Sequence, residues 1–258
     1  MGKTLILIRR NALFLFWLML IFSCSCTPTK EKQQQNAAYI DSIRPTTPTP
    51  LENTSTKSQT AVTLDSLGFV NISELDPTIH IELMYTRSDN FTGEILYDDL
   101  KEAYLHPDAA HALMQAQKEL KQSYPSYSLI VYDAARPMSV QKKMWNVVKG
   151  TSKFKYVSNP NHGGGLHNYG LAVDISILDS LGTPLPMGTQ VDHLGFEANI
   201  TQENELVHTG KISENERQNR ILLRTVMKKA GFRPLPSEWW HFNFCSRDEA
   251  KRKYKLIP

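Results

Sequence analysis

Along residues 106–122, HPDAAHALMQAQKELKQ, apolar side chains return every three or four positions. Ala110, Leu113, Met114 and Leu120 share one side of a predicted helix whose first turn holds Pro107 and Asp108. The spacing recurs in SVQKKMWNVVKG (139–150) with Val140, Met144, Val147 and Val148, and Gly150 stops it. A third helix, SENERQNRILLRTVMKKAGF (213–232), opens with Ser213 and Glu216 as a capping box and closes with Lys228, Lys229 and Gly231. Four runs read instead as strands: IHIELMY (79–85), YSLIVYDA (127–134), LAVDISIL (171–178) and WWHFNF (239–244). Helices and strands interleave, but long irregular connections join the later strands. The pattern predicts an α+β fold rather than a doubly wound sheet: a single mixed domain with a central antiparallel sheet packed by helices.

The first 62 residues break this pattern. Lys3, Arg9 and Arg10 precede an apolar run from Ala12 to Phe22, which reads as a secretory signal peptide over 1–23. The run is short for a membrane span and ends at Ser23-Cys24-Ser25-Cys26. Ile21-Phe22-Ser23-Cys24 resembles a bacterial lipobox, so Cys24 is the expected lipidated N-terminus, and Cys26 fits that pattern less well. Residues 24–62, with TPTKEKQQQN and RPTTPTPLENTSTKSQT, have too few apolar positions for a core and read as a flexible tether. The folded domain is then 63–258, exported, and attached to a membrane at the cell envelope only through its N-terminal lipid.

Composition narrows the function classes. Of the three cysteines only Cys245 lies in that domain, so an internal disulfide is excluded. A net charge of +3 over 258 residues gives no basic footprint for nucleic acid. No internal repeat is visible.

The chemistry lies in the later strands. LAVDISIL contains Asp174, and a buried carboxylate needs an arginine, a set of N–H donors or a metal ion beside it. His167 comes seven residues earlier, about 23 Å away along a straight strand at ~3.3 Å per residue. The two share a site only if Asn168-Tyr169-Gly170 turns the chain, which Gly170 permits. With His241 they offer two imidazoles and a carboxylate, a set that suits one zinc ion with a fourth position for water, in a cleft on the sheet. Glu238 lies three residues before His241, after Pro234 and Pro236, and a regular strand would put the two on opposite faces. A bulge at Trp239-Trp240 would bring both to one site and let Glu238 take a proton from the attacking water. Arg136 in YDAARP, at a strand end, could offer paired donors to a developing oxyanion. Plainer readings exist for each fragment: a hydrogen-bonded His–Asp pair, a surface acid beside an aromatic core, a solvated arginine. His162 is a rival ligand in a glycine-rich loop, whereas His80, His106, His111, His193 and His208 read as surface or core residues.

Taken together, MYTRSDNFTGEILY, YDAARP, HNYGLAVD, PMGTQVDHL and ERQNRILLRTVMKKAGF leading into SEWWHF resemble, over about 68–258, the zinc D-Ala-D-Ala dipeptidases of the vancomycin-resistance type. That family shares a metal-binding fold with D-Ala carboxypeptidases and hedgehog domains. The resemblance implies one zinc held by His167, Asp174 and His241, with Glu238 as general base and Arg136 stabilising the tetrahedral intermediate. It implies Asp192 as the carboxylate that receives the substrate ammonium, and Tyr85 and Tyr97 as tyrosines at the substrate site. Two positions depart from the family: Gly165 stands where a serine is common, and Tyr97 is shifted by two residues. The implied activity is hydrolysis of D-Ala-D-Ala to two D-alanines in cell-wall peptide metabolism. The alternatives are a D,D- or L,D-carboxypeptidase acting on peptidoglycan stems, or an inactive zinc-containing binding domain. Asp192 argues against the first and Glu238 against the second.

Overall fold

A computed structural model describes residues 57–258; the signal peptide, Cys24 and the tether up to residue 56 lie outside the described residues. The end of the expected tether is folded. Gln59–Ser66 forms α1, Ser58 caps it by accepting a hydrogen bond from the Ala61 amide, and Ala61 and Leu64 are buried. The domain therefore starts before residue 63; two buried apolar positions amid Gln, Thr and Ser were too weak a signal to mark it.

Seven strands follow in chain order: β1 (Val70–Asn71), β2 (His80–Ile81), β3 (Tyr104–Leu105), β4 (Ser128–Asp133), β5 (Ala172–Leu178), β6 (Arg233–Leu235) and β7 (Glu238–Asn243). β1 and β3 form a small antiparallel ribbon. The main sheet has the order β2-β4-β5-β7-β6 and is antiparallel except where β2 pairs with β4. The expected strand over 79–85 is strand only at its start. From Met84 to Thr86 it becomes a 3-10 turn, because the Tyr85 carbonyl accepts from the Leu96 and Tyr97 amides and the segment leaves the sheet edge.

The remaining helices are α2 (Ile72–Leu75), α3 (Pro107–Ser123), α4 (Met138–Val148), α5 (Glu203–His208), α6 (Glu214–Lys229) and α7 (Arg247–Lys253). The three helices expected from periodicity are α3, α4 and α6, and the Ser213–Glu216 capping box is formed. α3 and α6 pack on each other and on the sheet, burying Leu113, Ala116 and Leu120 from one and Leu223, Val226 and Met227 from the other. Every residue of β5 is buried. Val173, Ile175 and Ile177 alternate on one face with Ala172, Asp174 and Ser176 on the other, so a carboxylate sits at the centre of the sheet.

Candidate metal centre and active-site cleft

Three polar residues stand in a row across three adjacent strands. Asp174 of β5 is in register with His241 of β7 on one side and with Asp133 of β4 on the other. The second pairing depends on a bulge. Val131 faces Ile175 and Asp133 faces Asp174, so Tyr132 is one residue too many and re-aims Asp133 into the row. On the far side of β7 the ladder with β6 also slips. Leu235 faces Glu238 and Pro234 faces Phe242, leaving Trp239, Trp240 and His241 as the excess that lets Glu238 and His241 line one cleft.

His167 arrives from a 3-10 turn, Leu166–Tyr169, closed by Gly170 in the left-handed region with φ +63°. A Cβ there would lie 2.4 Å from the Phe69 ring and 2.9 Å from the His106 amide, so only glycine fits both the angle and the space. This turn is zipped to the chain after β4. The Arg136 amide donates to the His167 carbonyl at 2.9 Å, Asn168 Nδ2 to the Arg136 carbonyl at 2.8 Å, and His167 Nδ1 to the Ala134 carbonyl at 2.8 Å.

Those contacts set the imidazole tautomers. A carbonyl can only accept, so His167 Nδ1 carries the proton and its Nε2 is a bare lone pair. His241 Nε2 lies 2.9 Å from Asn243 Oδ1 and donates to it, which leaves Nδ1 bare as well. The two bare nitrogens are 3.2 Å apart, His241 Nδ1 is 2.9 Å from Asp174 Oδ1, and His167 Nε2 is 3.4 Å from Asp174 Oδ2. Two imidazole nitrogens and the two oxygens of one carboxylate thus converge, an arrangement that calls for a cation. A proton answers part of that demand: although burial opposes it, the hydrogen bond and charge of Asp174 push His241 up to about 9. Burial raises Asp174 itself, but the two imidazoles more than offset that and hold it well below the carboxylate range. A divalent metal with nitrogen and oxygen ligands fits the same donor set. Among the described residues this is the one group of three such ligands, and His162, exposed on a neighbouring turn, does not belong to it.

A cleft of about 390 Å³ surrounds the centre, within the usual size for a small-molecule site. Glu238 lines it, and burial pushes its carboxyl up to about 7. Asp192 also lines it; it accepts a 2.7 Å hydrogen bond from the Tyr85 hydroxyl, and burial beside Asp174 pushes its carboxyl up to about 8. Arg136 is buried at the cleft wall, 5.1 Å from the centre of the Tyr85 ring. Its Nε and Nη2 donate to Asp133 and its Nη1 to Gln141 at 3.0 Å, with Met144 sulfur 3.4 Å from Nη1. The second Nη2 hydrogen is left for the cleft. Asp133, fully buried, also accepts from Tyr97. Tyr97 is the expected site residue that does not line the cleft: it braces Asp133 from behind. The space that a side chain at Gly165 would enter is filled by Ser158, whose hydroxyl lies 2.8 Å from the position of such a Cβ.

Sequence reading overlooked Asp133, Gln141 and Asn243. The first two hold Arg136 and the third fixes the His241 tautomer. Only Asp133 carried a usable hint, as an acid three residues before the arginine in YDAARP.

Comparison with known proteins places this arrangement. A family model described as D-Ala-D-Ala dipeptidase matches residues 65–256, which hold every residue of the cleft named above. The chain belongs to the D-Ala-D-Ala dipeptidase family. Relatives in that family include the D-alanyl-D-alanine dipeptidase of Escherichia coli strain K12, 30% identical over 178 residues, covering 69% of this chain and 85% of the relative. The D-alanyl-D-alanine dipeptidase of Enterococcus faecium is 27% identical over 200 residues, covering 71% and 93%. That of a Synechocystis species is 31% identical over 160 residues, covering 51% and 65%. Membership of this peptidase family makes the chain a hydrolase, with its candidate metal site at the centre of the cleft.

Proposed function

We propose that this family member hydrolyses the free dipeptide D-Ala-D-Ala to two D-alanines, and that His167, Asp174 and His241 hold one zinc ion. The observation that carries the reading is the convergence of two imidazole nitrogens and the Asp174 carboxylate, with contacts of 2.9–3.4 Å among them, in a cleft that also holds Glu238, Arg136 and Asp192. When bound, zinc supplies Lewis acidity, polarising the scissile carbonyl and making water acidic near neutral pH. The side chains do the rest. Glu238, with a carboxyl raised by burial, accepts a proton from the attacking water and returns it to the leaving amine. Arg136 turns its remaining N–H toward the oxygen on which negative charge develops, while Asp133 and Gln141 keep the guanidinium from swinging away. Asp192, presented across the cleft with Tyr85 on its other oxygen, pairs with the substrate ammonium. D-Ala-D-Ala is a cell-wall building block, so the activity belongs to cell-wall peptide metabolism.

Protein stripped of metal should release no D-alanine from D-Ala-D-Ala, and about one equivalent of zinc per chain should restore release. Turnover without metal would overturn the reading. We infer further that Cys24 is lipidated and holds the domain at the cell envelope; Cys24→Ala should move the protein from the membrane to the soluble fraction, and continued membrane association would refute the anchor.

A further inference from the structure

Asp192 sits on a loop, residues 187–197, that is held from behind by a buried cation. Arg220 of α6 is completely buried and does not line the cleft. Its Nε donates to the Met187 carbonyl at 2.6 Å and its Nη2 to the Glu197 carbonyl at 3.0 Å, so one guanidinium ties both ends of the loop. The guanidinium also lies 5.9 Å from the centre of the Trp239 ring, whose Nε1 donates to Thr189 Oγ1 at 2.7 Å. Asn219, one residue earlier, adds a 2.8 Å bond to the Pro186 carbonyl.

Helical periodicity alone would put an apolar residue here, since position 220 shares the buried stripe of Leu223 and Met227. The arginine is also imperfectly satisfied. Its Nη1 has no hydrogen-bond partner; the Glu203 carboxylate is 4.0 Å away and both its oxygens are taken by Arg224. A buried donor left unmet is costly, so packing does not account for the choice. The geometry of the loop does. Between its two tied ends Asp192 has φ +62°, the one left-handed non-glycine residue among the described residues. Such a conformation persists only where the surroundings over-determine it.

We propose that Arg220 is a positioning residue for substrate-amine recognition. By tying the Met187 and Glu197 carbonyls it holds the loop in the conformation that presents Asp192, so discrimination against N-blocked peptides depends on a side chain that never touches substrate. The proposal rests on the reading of Asp192 as the ammonium acceptor. Glu238, Asp174 and His241 are held by the ladders of β5, β6 and β7 rather than by this loop, so the chemical step is spared.

The test is steady-state kinetics of zinc-loaded protein on D-Ala-D-Ala and N-acetyl-D-Ala-D-Ala for the wild type, Asp192→Asn, Arg220→Gln, Arg220→Lys and the Asp192→Asn/Arg220→Gln double variant. Arg220→Gln should raise KM for the free dipeptide roughly tenfold and leave kcat within about twofold, the signature of lost binding rather than lost chemistry. Arg220→Lys should recover part of the loss, and the double variant should discriminate no worse than Asp192→Asn alone. Amide hydrogen exchange should quicken in 187–197 and stay unchanged in β4 and β5. If Asp192→Asn leaves discrimination intact, the ammonium reading fails. If Asp192→Asn abolishes discrimination while Arg220→Gln keeps it, or loses kcat on both substrates equally, the role of Arg220 is overturned. Should Arg220→Gln not fold, Arg220→Lys carries the test, and wild-type KM with wild-type loop exchange in that variant overturns the proposal.

Discussion

Replacing Asp133 with asparagine removes one negative charge and almost no volume from the centre of the sheet. Asp133 is fully buried, receives both Nε and Nη2 of Arg136, and accepts the Tyr97 hydroxyl. Its loss leaves a buried guanidinium whose next carboxylate, Asp174, is 4.0 Å from Nη2. Breaking a buried ion pair by removing one partner costs about 3–5 kcal/mol. The lower end applies, because the asparagine oxygen still accepts one bond and Asp174 compensates in part. About 3 kcal/mol is a large share of a total stability of ~5–15 kcal/mol. For a folded unit of this size each kcal/mol moves Tm by ~2–4 °C, so Asp133→Asn should melt roughly 6–12 °C below the wild type. The comparison is made by thermal and urea unfolding with metal chelated from both proteins, so that altered metal binding does not contribute. Tyr97→Phe, which removes one hydrogen bond to the same carboxylate, should cost about 1 kcal/mol in the same assay. An Asp133→Asn midpoint within about 2 °C of the wild type would show that the Arg136 pair is not what holds this part of the sheet.

Alanine at His167, Asp174 or His241 should each remove bound zinc by elemental analysis, and full occupancy in all three would sink the ligand assignment. Glu238→Ala should keep the zinc and lose turnover by about 10² to 10⁴-fold if, as proposed, the residue moves a proton and holds no metal; near-normal turnover would remove it from the mechanism. Burial holds the Glu238 carboxyl at about 7 in the fold against an ordinary 4.5, so the folded state binds more protons than the unfolded state across that window. The contribution of Glu238 to stability is therefore most favourable below the lower value and is lost as pH rises through the upper one. Metal-free Glu238→Gln, which has no proton to lose, should gain stability relative to the wild type between about pH 5 and about pH 8; a constant difference across that range would refute the burial argument.

The parts of the molecule legible in the sequence are those decided by local pattern. α3, α4 and α6 follow from the spacing of their apolar positions and their end signals, and β4, β5 and β7 from runs bounded by turn residues. Gly170 was legible because a histidine and an aspartate seven residues apart cannot meet unless the chain turns between them. The bulge before His241 was legible because Glu238 and His241 otherwise face opposite ways. What pattern could not supply was anything set by register between distant segments. Asp133 enters the site through an extra residue in β4 measured against β5, some forty positions later, and nothing local to YDAARP encodes that slip. The family resemblance implies Tyr97 at the substrate site despite its shifted spacing after DNFTG, but its hydroxyl points behind the cleft at Asp133. Tyr85 left its expected strand because its carbonyl is claimed by two amides eleven and twelve residues on. Arg220 sits within a helix whose amphipathic pattern reads as ordinary packing, and its purpose emerges only once the loop that it ties is in place.

The most direct test of the account is the ratio of D-alanine release from D-Ala-D-Ala to that from N-acetyl-D-Ala-D-Ala by the zinc-loaded wild-type protein. Asp192 lies in a partly dry wall of the cleft, and blocking the amine removes the ammonium with which it is proposed to pair. Losing that charge-assisted pairing costs about 1.5–3 kcal/mol, because the unpaired carboxyl takes up a proton instead of standing charged, which corresponds to a preference of roughly tenfold to 150-fold for the free dipeptide. A preference of that order is the result the account predicts. Equal hydrolysis of the free and acetylated dipeptides would contradict it and assign the cleft to longer peptidoglycan stems.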